Sequence, residues 1–241
     1  NLVAYYSTIN GTYKNCVFNG DLKFSEAGDT VVFENCVFNG PDYALHFDTA
    51  VANSHVILKG CKVNSEWRVA IGAAVSMFEA IDTKFNVAGF INLWGKAKFT
   101  NCAFNKPYYG ICCMDTTEFT NCTCEDRALV ANDIRIEETV ITIDGVTYEI
   151  VADGVMKAND DYEISSKAGM FWFANEVNAN GNAFAGKTVK LTANIDLNNE
   201  AWTPVGQTGA TQFKGTCDGN NKKISNLKIN TKAQTGANYS S

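Results

Sequence analysis

The chain has 241 residues, 26 acidic against 20 basic side chains for a formal net charge of −6, and 46% hydrophobic residues. That apolar content excludes a disordered chain. The acidic balance, with no Lys/Arg cluster, speaks against nucleic acid as a partner, and no apolar run approaches the roughly 18 residues needed to cross a bilayer.

The chain opens mid-pattern on strand-like Leu2-Val3-Ala4-Tyr5-Tyr6. Position 1 therefore reads as a boundary within a longer protein, and the lack of a signal peptide carries no information. A six-residue phrase then begins to recur. It reads Asn15-Cys16-Val17-Phe18-Asn19-Gly20 and returns unchanged as Asn35-Cys36-Val37-Phe38-Asn39-Gly40. Looser copies start at Gly60, Asp82, Asn101 and Asn121. The second position falls at 16, 36, 61, 83, 102 and 122, so the steps are 20, 25, 22, 19 and 20 residues. A period in this range marks a solenoid.

Positions two and four of the phrase are mostly apolar and two residues apart, the alternation of a strand. No 3.6-residue period fits, and the Gly-, Asn- and Pro-bearing links are too short for a helix in each repeat. The expected fold is all-β: a right-handed single-stranded parallel β-helix over residues 1–135, with about 20–25 residues per coil. The hand follows from the crossover rule. Two further inward pairs are expected in each coil. The first runs Leu22/Phe24, Leu45/Phe47, Val69/Ile71, Ile91/Leu93 and Ile111/Cys113. The second runs Val31/Phe33, Val56/Leu58, Met77/Ile81, Ala97/Phe99 and Phe119. Gly72-Ala73-Ala74 lengthens one coil as an insertion or bulge. The fifth-position asparagines, Asn19, Asn39, Asn64, Asn86 and Asn105, are expected to take the left-handed bend at a corner and to bond side chain to side chain down the stack.

Past Asp126 the repeat fades. Val140-Ile141-Thr142-Ile143 and Val146-Thr147-Tyr148 flank Asp144-Gly145 as a hairpin, and residues 152–163 read as a turn-rich linker, so that 136–163 separate the first solenoid from a module over 164–241. A helix follows, capped by Ser165 or Ser166, with Met170, Phe173, Ala174 and Val177 on one face and Asn180-Gly181 as its stop. The tail returns to strands.

Nine cysteines invite a disulfide or metal reading. The count is odd, however, and Cys122-Thr123-Cys124 has no second pair at zinc spacing. Stacked, inward, free thiols are expected, with no metal and no cofactor.

Residues 162–230 resemble a known family. Ser165-Ser166-Lys167-Ala168-Gly169 with Phe173-Ala174-Asn175, then Lys187 to Leu197, Trp202-Thr203-Pro204-Val205-Gly206, and Phe213 to Asn220 followed by Ile224-Ser225-Asn226-Leu227 are similar to β-helical modules that precede GLUG-type repeats. Such modules occur in adhesin-like surface proteins and lipoproteins of Bacteroidetes and Firmicutes. Cys217 departs from the usual Phe, and the chain stops before the expected Gly-Leu-Phe-Gly element. The resemblance implies a bacterial cell-surface or secreted setting within a longer protein. It brings no catalytic residues.

The loops that follow the fifth-position asparagines carry the remaining functional signal. Pro41-Asp42-Tyr43, Glu66-Trp67-Arg68, Lys106-Pro107-Tyr108-Tyr109 and Asp126-Arg127 should stack on one edge, the short Val87-Ala88-Gly89 being the exception. Tyr43, Trp67, Tyr108 and Tyr109, with Arg68 and Asp42 beside them, are the expected ligand-binding stripe. Rings among charges and amides suit a glycan or a protein partner. A polysaccharide lyase or glycoside hydrolase is the alternative, with Asp48 and Asp115 as the carboxylates to test. A passive spacer is the third reading. His46 and His55 are expected at the surface or an edge, in no ligand role.

Overall fold

The computed structural model describes residues 7–47 and 54–229; of residues 7, 8 and 25–29 only the backbone is described. The expected opening strand at Leu2–Tyr6 and the carboxylate of Asp48 lie outside the described residues. The chain forms two compact units, Asn1–Glu149 and Ile150–Ser241.

The first unit is a parallel β-helix of about six turns. One stack holds the start of Lys23–Glu34, then Tyr43–Phe47, Arg68–Ile71, Phe90–Leu93, Gly110–Cys113 and Ile134–Ile136. A second holds Ser7–Lys14, the end of Lys23–Glu34, His55–Lys59, Met77–Ile81, Ala97–Thr100, Thr117–Thr120 and Val140–Ile143. The third holds the recurring phrase, from Val17–Asn19 through Val37–Gly40, Lys62–Ser65 and Lys84–Val87 to Ala103–Phe104 and Thr123–Cys124.

Because each strand pairs in register with its counterpart one coil away, like residues form columns inside. Phe18, Phe38, Val63, Phe85, Phe104 and Cys124 make one such column. Phe18 lies on Phe38 with ring centroids 5.1 Å apart, and Phe85 on Phe104 at the same distance. Phe33 and Phe99 from the second stack meet these rings edge-on. Burying each ring stabilises the fold by about 1.5–3 kcal/mol, with a further ~1 kcal/mol per well-placed ring pair.

The cysteines of the phrase point inward as expected. Cys36, Cys61, Cys102 and Cys122 are buried, and the Cys61 and Cys102 thiols donate to the carbonyls of Phe33 and Ala80. Where the fourth phrase lacks cysteine, Thr83 is buried in its place and its hydroxyl donates to the Ile81 carbonyl at 2.9 Å.

Three expectations are corrected. The inward pair of the fourth coil is Phe78/Ala80 rather than Met77/Ile81: Phe78 pairs with Ala97 and Ala80 with Phe99, and both are fully buried. The register of the neighbouring strands decides this, since a one-residue slip would turn every side chain to the other face. The left-handed corner lies at the first position of the phrase, not the fifth. Asn15, Asn35, Asp82, Asn101 and Asn121 have φ between 49° and 55°, and Gly60 completes the set at 60°. Asparagine, aspartate and glycine tolerate that region at least cost. Finally, residues 152–163 are no linker: they contribute the antiparallel strands Val155–Ala158 and Asp161–Ile164.

The fifth-position asparagines from Asn19 to Asn86 lie in strands, and their amides form the expected ladder. Asn39 donates to Asn19 (2.9 Å), Asn64 to Asn39 (2.7 Å) and Asn86 to Asn64 (2.8 Å). Asn105 leaves it, because the strand Ala103–Phe104 ends one residue earlier; its amide brackets the backbone of Val87 instead. A second ladder runs through the first position, from Asn121 to Asn101 and from Asn101 to Asp82.

After the last copy of the phrase, Glu125 and Asp126 turn the chain back at positive φ and Arg127–Ala128 pairs antiparallel with Thr123–Cys124. Arg127 grips the buried Asp133 through both carboxylate oxygens, at 2.6 and 2.7 Å. Burial works against ionisation of Asp133, but the Arg127 guanidinium and the Val130 N–H outweigh it and hold the carboxyl below its ordinary range. Asp144 and Gly145 both have positive φ, as a two-residue hairpin turn requires.

The second unit is helix-led. The helix spans Lys167–Asn178, with the Ser166 hydroxyl accepting from Gly169 N at 3.0 Å. Met170, Phe173, Ala174 and Val177 are buried as the sequence pattern requires. Asp161–Ile164, Thr188–Leu191 and Thr216–Asp218 stack in parallel, as do Ile195–Asp196 with Ile224–Ser225 and Ala201–Trp202 with Lys228–Ile229. Asn178 ties helix to tail, its amide donating to the Pro204 carbonyl and accepting from Gly206 N, both at 2.9 Å. That pair of bonds accounts for the Trp202-to-Gly206 phrase lying where it does.

Candidate functional site

The three faces of the first unit differ in what their outward side chains do with one another. On the second stack opposite charges meet: Lys14 pairs with Glu34 at 2.7 Å and Lys98 with Glu118 at 3.4 Å, and His55 Nε2 lies 3.3 Å from the Glu79 carboxylate. On the third stack the outward asparagines bond to one another along the amide ladder. The first stack is different, because its outward positions and the loops leading into them carry rings.

Tyr43, Arg68, Phe90 and Gly110 form one outward column at the starts of their strands. The Arg68 guanidinium lies over the Tyr43 ring at 4.0 Å and within 5.6 Å of Phe90. Burial lowers the Arg68 pKa, and the field of the Asp42 carboxylate opposes that shift. Phe90 in turn touches Trp67 (5.4 Å) and Tyr109 (5.8 Å), Trp67 touches Tyr109 (5.8 Å), and Tyr109 touches Tyr108 (4.7 Å). A continuous row of rings therefore crosses three consecutive coils, and the Arg68 guanidinium joins it to Tyr43 on a fourth.

The loops are held together by backbone bonds. Arg68 N donates to the Asp42 carbonyl, Gly89 N and Phe90 N to that of Trp67, Tyr108 N to that of Ala88, and Tyr109 N to that of Gly89, all at 2.8–3.0 Å. Gly89 permits the closest approach: a Cβ there would sit 2.2 Å from the Trp67 carbonyl oxygen and 3.0 Å from its indole.

The residues expected in the stripe are thus brought together, but their exposure is uneven. Trp67 is 40% exposed, Tyr109 51% and Tyr108 83%, whereas Tyr43 is 9% exposed. Tyr43 lies beneath Arg68 on one side, with Lys23 4.3 Å from its ring centroid and His46 stacked at 5.0 Å. It supports the row rather than forming its surface. Asp42 is exposed beside Arg68. Arg127, at the end of the loop series, belongs to the terminal closure with Asp133.

Phe90 is the member that sequence reasoning missed. The short loop Val87-Ala88-Gly89 was the apparent gap in the row, yet it delivers Phe90 directly into the Tyr43–Arg68 column. Aligning strand starts rather than loops would have found it. Below the row, Phe90, Asn92, Tyr109, Cys112, Met114, Arg135 and Glu137 line a depression of about 280 Å3. Of the carboxylates considered for catalysis, Asp115 accepts from Thr116 N at 2.6 Å in a turn. No cluster of three or more His, Cys, Asp or Glu fit to hold a metal ion occurs among the described residues.

Fold and surface together define a parallel β-helix with an aromatic edge, an ion-paired face and an amide ladder. The chain matches no protein-family model, no curated protein and no solved structure.

Proposed function

We propose that the chain is a binding segment of a bacterial cell-surface, adhesin-like protein, recognising a glycan or a protein through the ring row of its first unit. The observation that carries this reading is the unbroken contact from Arg68 through Phe90 and Trp67 to Tyr109 and Tyr108 at the exposed edge of the solenoid. Rings fixed by packing and by backbone bonds offer contact area at low entropic cost. The cell-surface setting rests on the resemblance of residues 162–230 to modules of such proteins.

Screening the chain on glycan arrays and against surface-protein extracts, with Trp67→Ala and Tyr109→Ala as paired controls, tests the reading. A partner captured by the native chain and lost by both variants supports it. A partner held equally well by all three chains would sink it.

A further inference from the structure

Resting on that binding reading, the depression beneath the row narrows the ligand class. We infer that it is a subsite for one neutral hexopyranose unit of an extended glycan, with Tyr109 and Phe90 against the sugar's C–H face and Asn92, Arg135 and Glu137 reading its hydroxyls.

Size comes first. At about 280 Å3 the depression falls just under the roughly 300–1,000 Å3 of pockets that enclose drug-sized ligands, and it suits a single ring. Its chemistry is divided: Phe90, Tyr109 and Met114 give apolar surface, while Asn92, Arg135 and Glu137 give donors and acceptors. A wholly apolar ligand would strip water from those polar groups without replacing its hydrogen bonds, which is costly. A pyranose has an apolar C–H face and a rim of hydroxyls that both donate and accept.

Charge then selects among sugars. Arg135 and Glu137 lie on one outward face, two residues apart, with Nη2 and Oε1 at 2.6 Å. Arg135 thus already has its carboxylate. A uronate, sulfate or phosphate would have to displace Glu137 or sit beside it, and like charges at that distance repel. Hydroxyls can bridge the pair without disturbing it.

An extended peptide fits less well. The strands Phe90–Leu93 and Gly110–Cys113 are paired along both edges, to Arg68–Ile71 and Ile134–Ile136 on the outside and to each other between. No backbone edge remains there for a peptide strand to extend. The Trp67 and Tyr109 rings lie 5.8 Å apart, close to the length of one sugar unit, so a glycan running along the coils would place one residue in the depression against Tyr109 and the next on Trp67.

Isothermal titration calorimetry of the full chain with the neutral hexaoses of glucose, mannose and galactose, and with hexagalacturonate, tests the inference. Expected is binding of at least one neutral hexaose, at least tenfold tighter than hexagalacturonate, weakened tenfold or more by Trp67→Ala and by Asn92→Ala. Glu137→Gln should narrow the gap by improving hexagalacturonate. Neutral binding lost in Trp67→Ala but unaltered in Asn92→Ala and Glu137→Gln overturns the subsite and leaves the ring row as the binding surface. Tighter binding of hexagalacturonate by the native chain overturns the charge argument. Binding of none of the four sugars overturns the sugar assignment and leaves a protein as the row's occupant, so this failure and that of the broader reading are told apart by the Trp67→Ala comparison on captured proteins.

Discussion

Two sets of aromatic rings run along the first unit, one inside and one outside, and they are arranged differently. Inside, Phe18 on Phe38, Phe85 on Phe104 and Phe99 on Phe119 are stacked at 5.1 Å with interplanar angles of 9°, 10° and 8°. Outside, Trp67, Phe90 and Tyr109 meet at 5.4–5.8 Å with angles of 60°, 70° and 79°. The inner rings share one register position on consecutive strands, so the backbone repeat copies their orientation from coil to coil. The outer rings come from loops of different length and from a strand start, and nothing imposes a common orientation on them. Repetition of the coil accounts for most of the inner set, with Phe24 and Phe47 tilted by 33° at its start; the outer set is added to the coil.

The sharpest way to separate inside from outside is thiol chemistry. Seven of the nine cysteines, Cys36, Cys61, Cys102, Cys112, Cys113, Cys122 and Cys124, are buried, Cys16 is half-buried and Cys217 is exposed. Burial pushes the Cys113 thiol up to about 12 and raises Cys36 and Cys61 as well, so the reactive thiolate is scarce as well as shielded. Native protein treated with iodoacetamide should lose Cys217 and Cys16 first. The core thiols should react roughly a thousandfold or more slowly, at the rate of opening of the fold. Even labelling of all nine, followed by mass spectrometry, would mean that the inward column is wrong.

Phe38→Ala comes next. The ring is fully buried between Phe18 and Phe33, and its loss should cost about 3–5 kcal/mol in transfer and cavity terms. Urea denaturation measures this directly, and a change under about 1 kcal/mol would contradict the packing described. Gly89→Ala should cost less, about 1–3 kcal/mol by overpacking, because the new methyl must push the Trp67 carbonyl away. Its diagnostic is that it perturbs both sets: stability falls, and near-ultraviolet circular dichroism of the Trp67–Phe90–Tyr109 contacts changes with it.

The inner set was the legible part of the sequence, and the reason is periodic constraint. Cys16/Phe18 and its copies can be counted, and the columns then follow from pairing geometry. The misreading at Met77/Ile81 shows the limit: both flanking residues are apolar, so hydrophobicity alone does not fix the phase, and only the pairing with Ala97–Thr100 does. The asparagine corner was misplaced for a similar reason. Asparagine occupies both the first and fifth positions of the phrase, and composition does not say which one bends and which one bridges. Residues 152–163 look turn-rich because Asp153-Gly154 and Asn159-Asp160 are turns, but they join Val146–Ala152 to two strands of only four residues each. For the outer set, the loops that carry Trp67, Tyr108 and Tyr109 are legible from their common offset and Phe90 only when strand starts are aligned, whereas the Arg135–Glu137 pair comes from a strand register that only the structure supplies.

The smallest expected effect on stability is the most informative one for function. Trp67 is 40% exposed and contacts Phe90 and Tyr109 only edge-on, so Trp67→Ala removes surface contacts and opens no cavity in the core. Its cost in urea denaturation should stay near or below about 1 kcal/mol, within the range of surface substitutions that lose a ring contact. Binding should respond by more: a central aromatic anchor is worth about 1–2 kcal/mol or more when it is desolvated by a partner. Salt should matter little to that loss, because the indole is uncharged and salt screens only interactions between charges. A Trp67→Ala chain that unfolds as readily as Phe38→Ala would place the indole among the inner rings. One that keeps both its stability and its affinity would show that the row is mere covering for the loops beneath it.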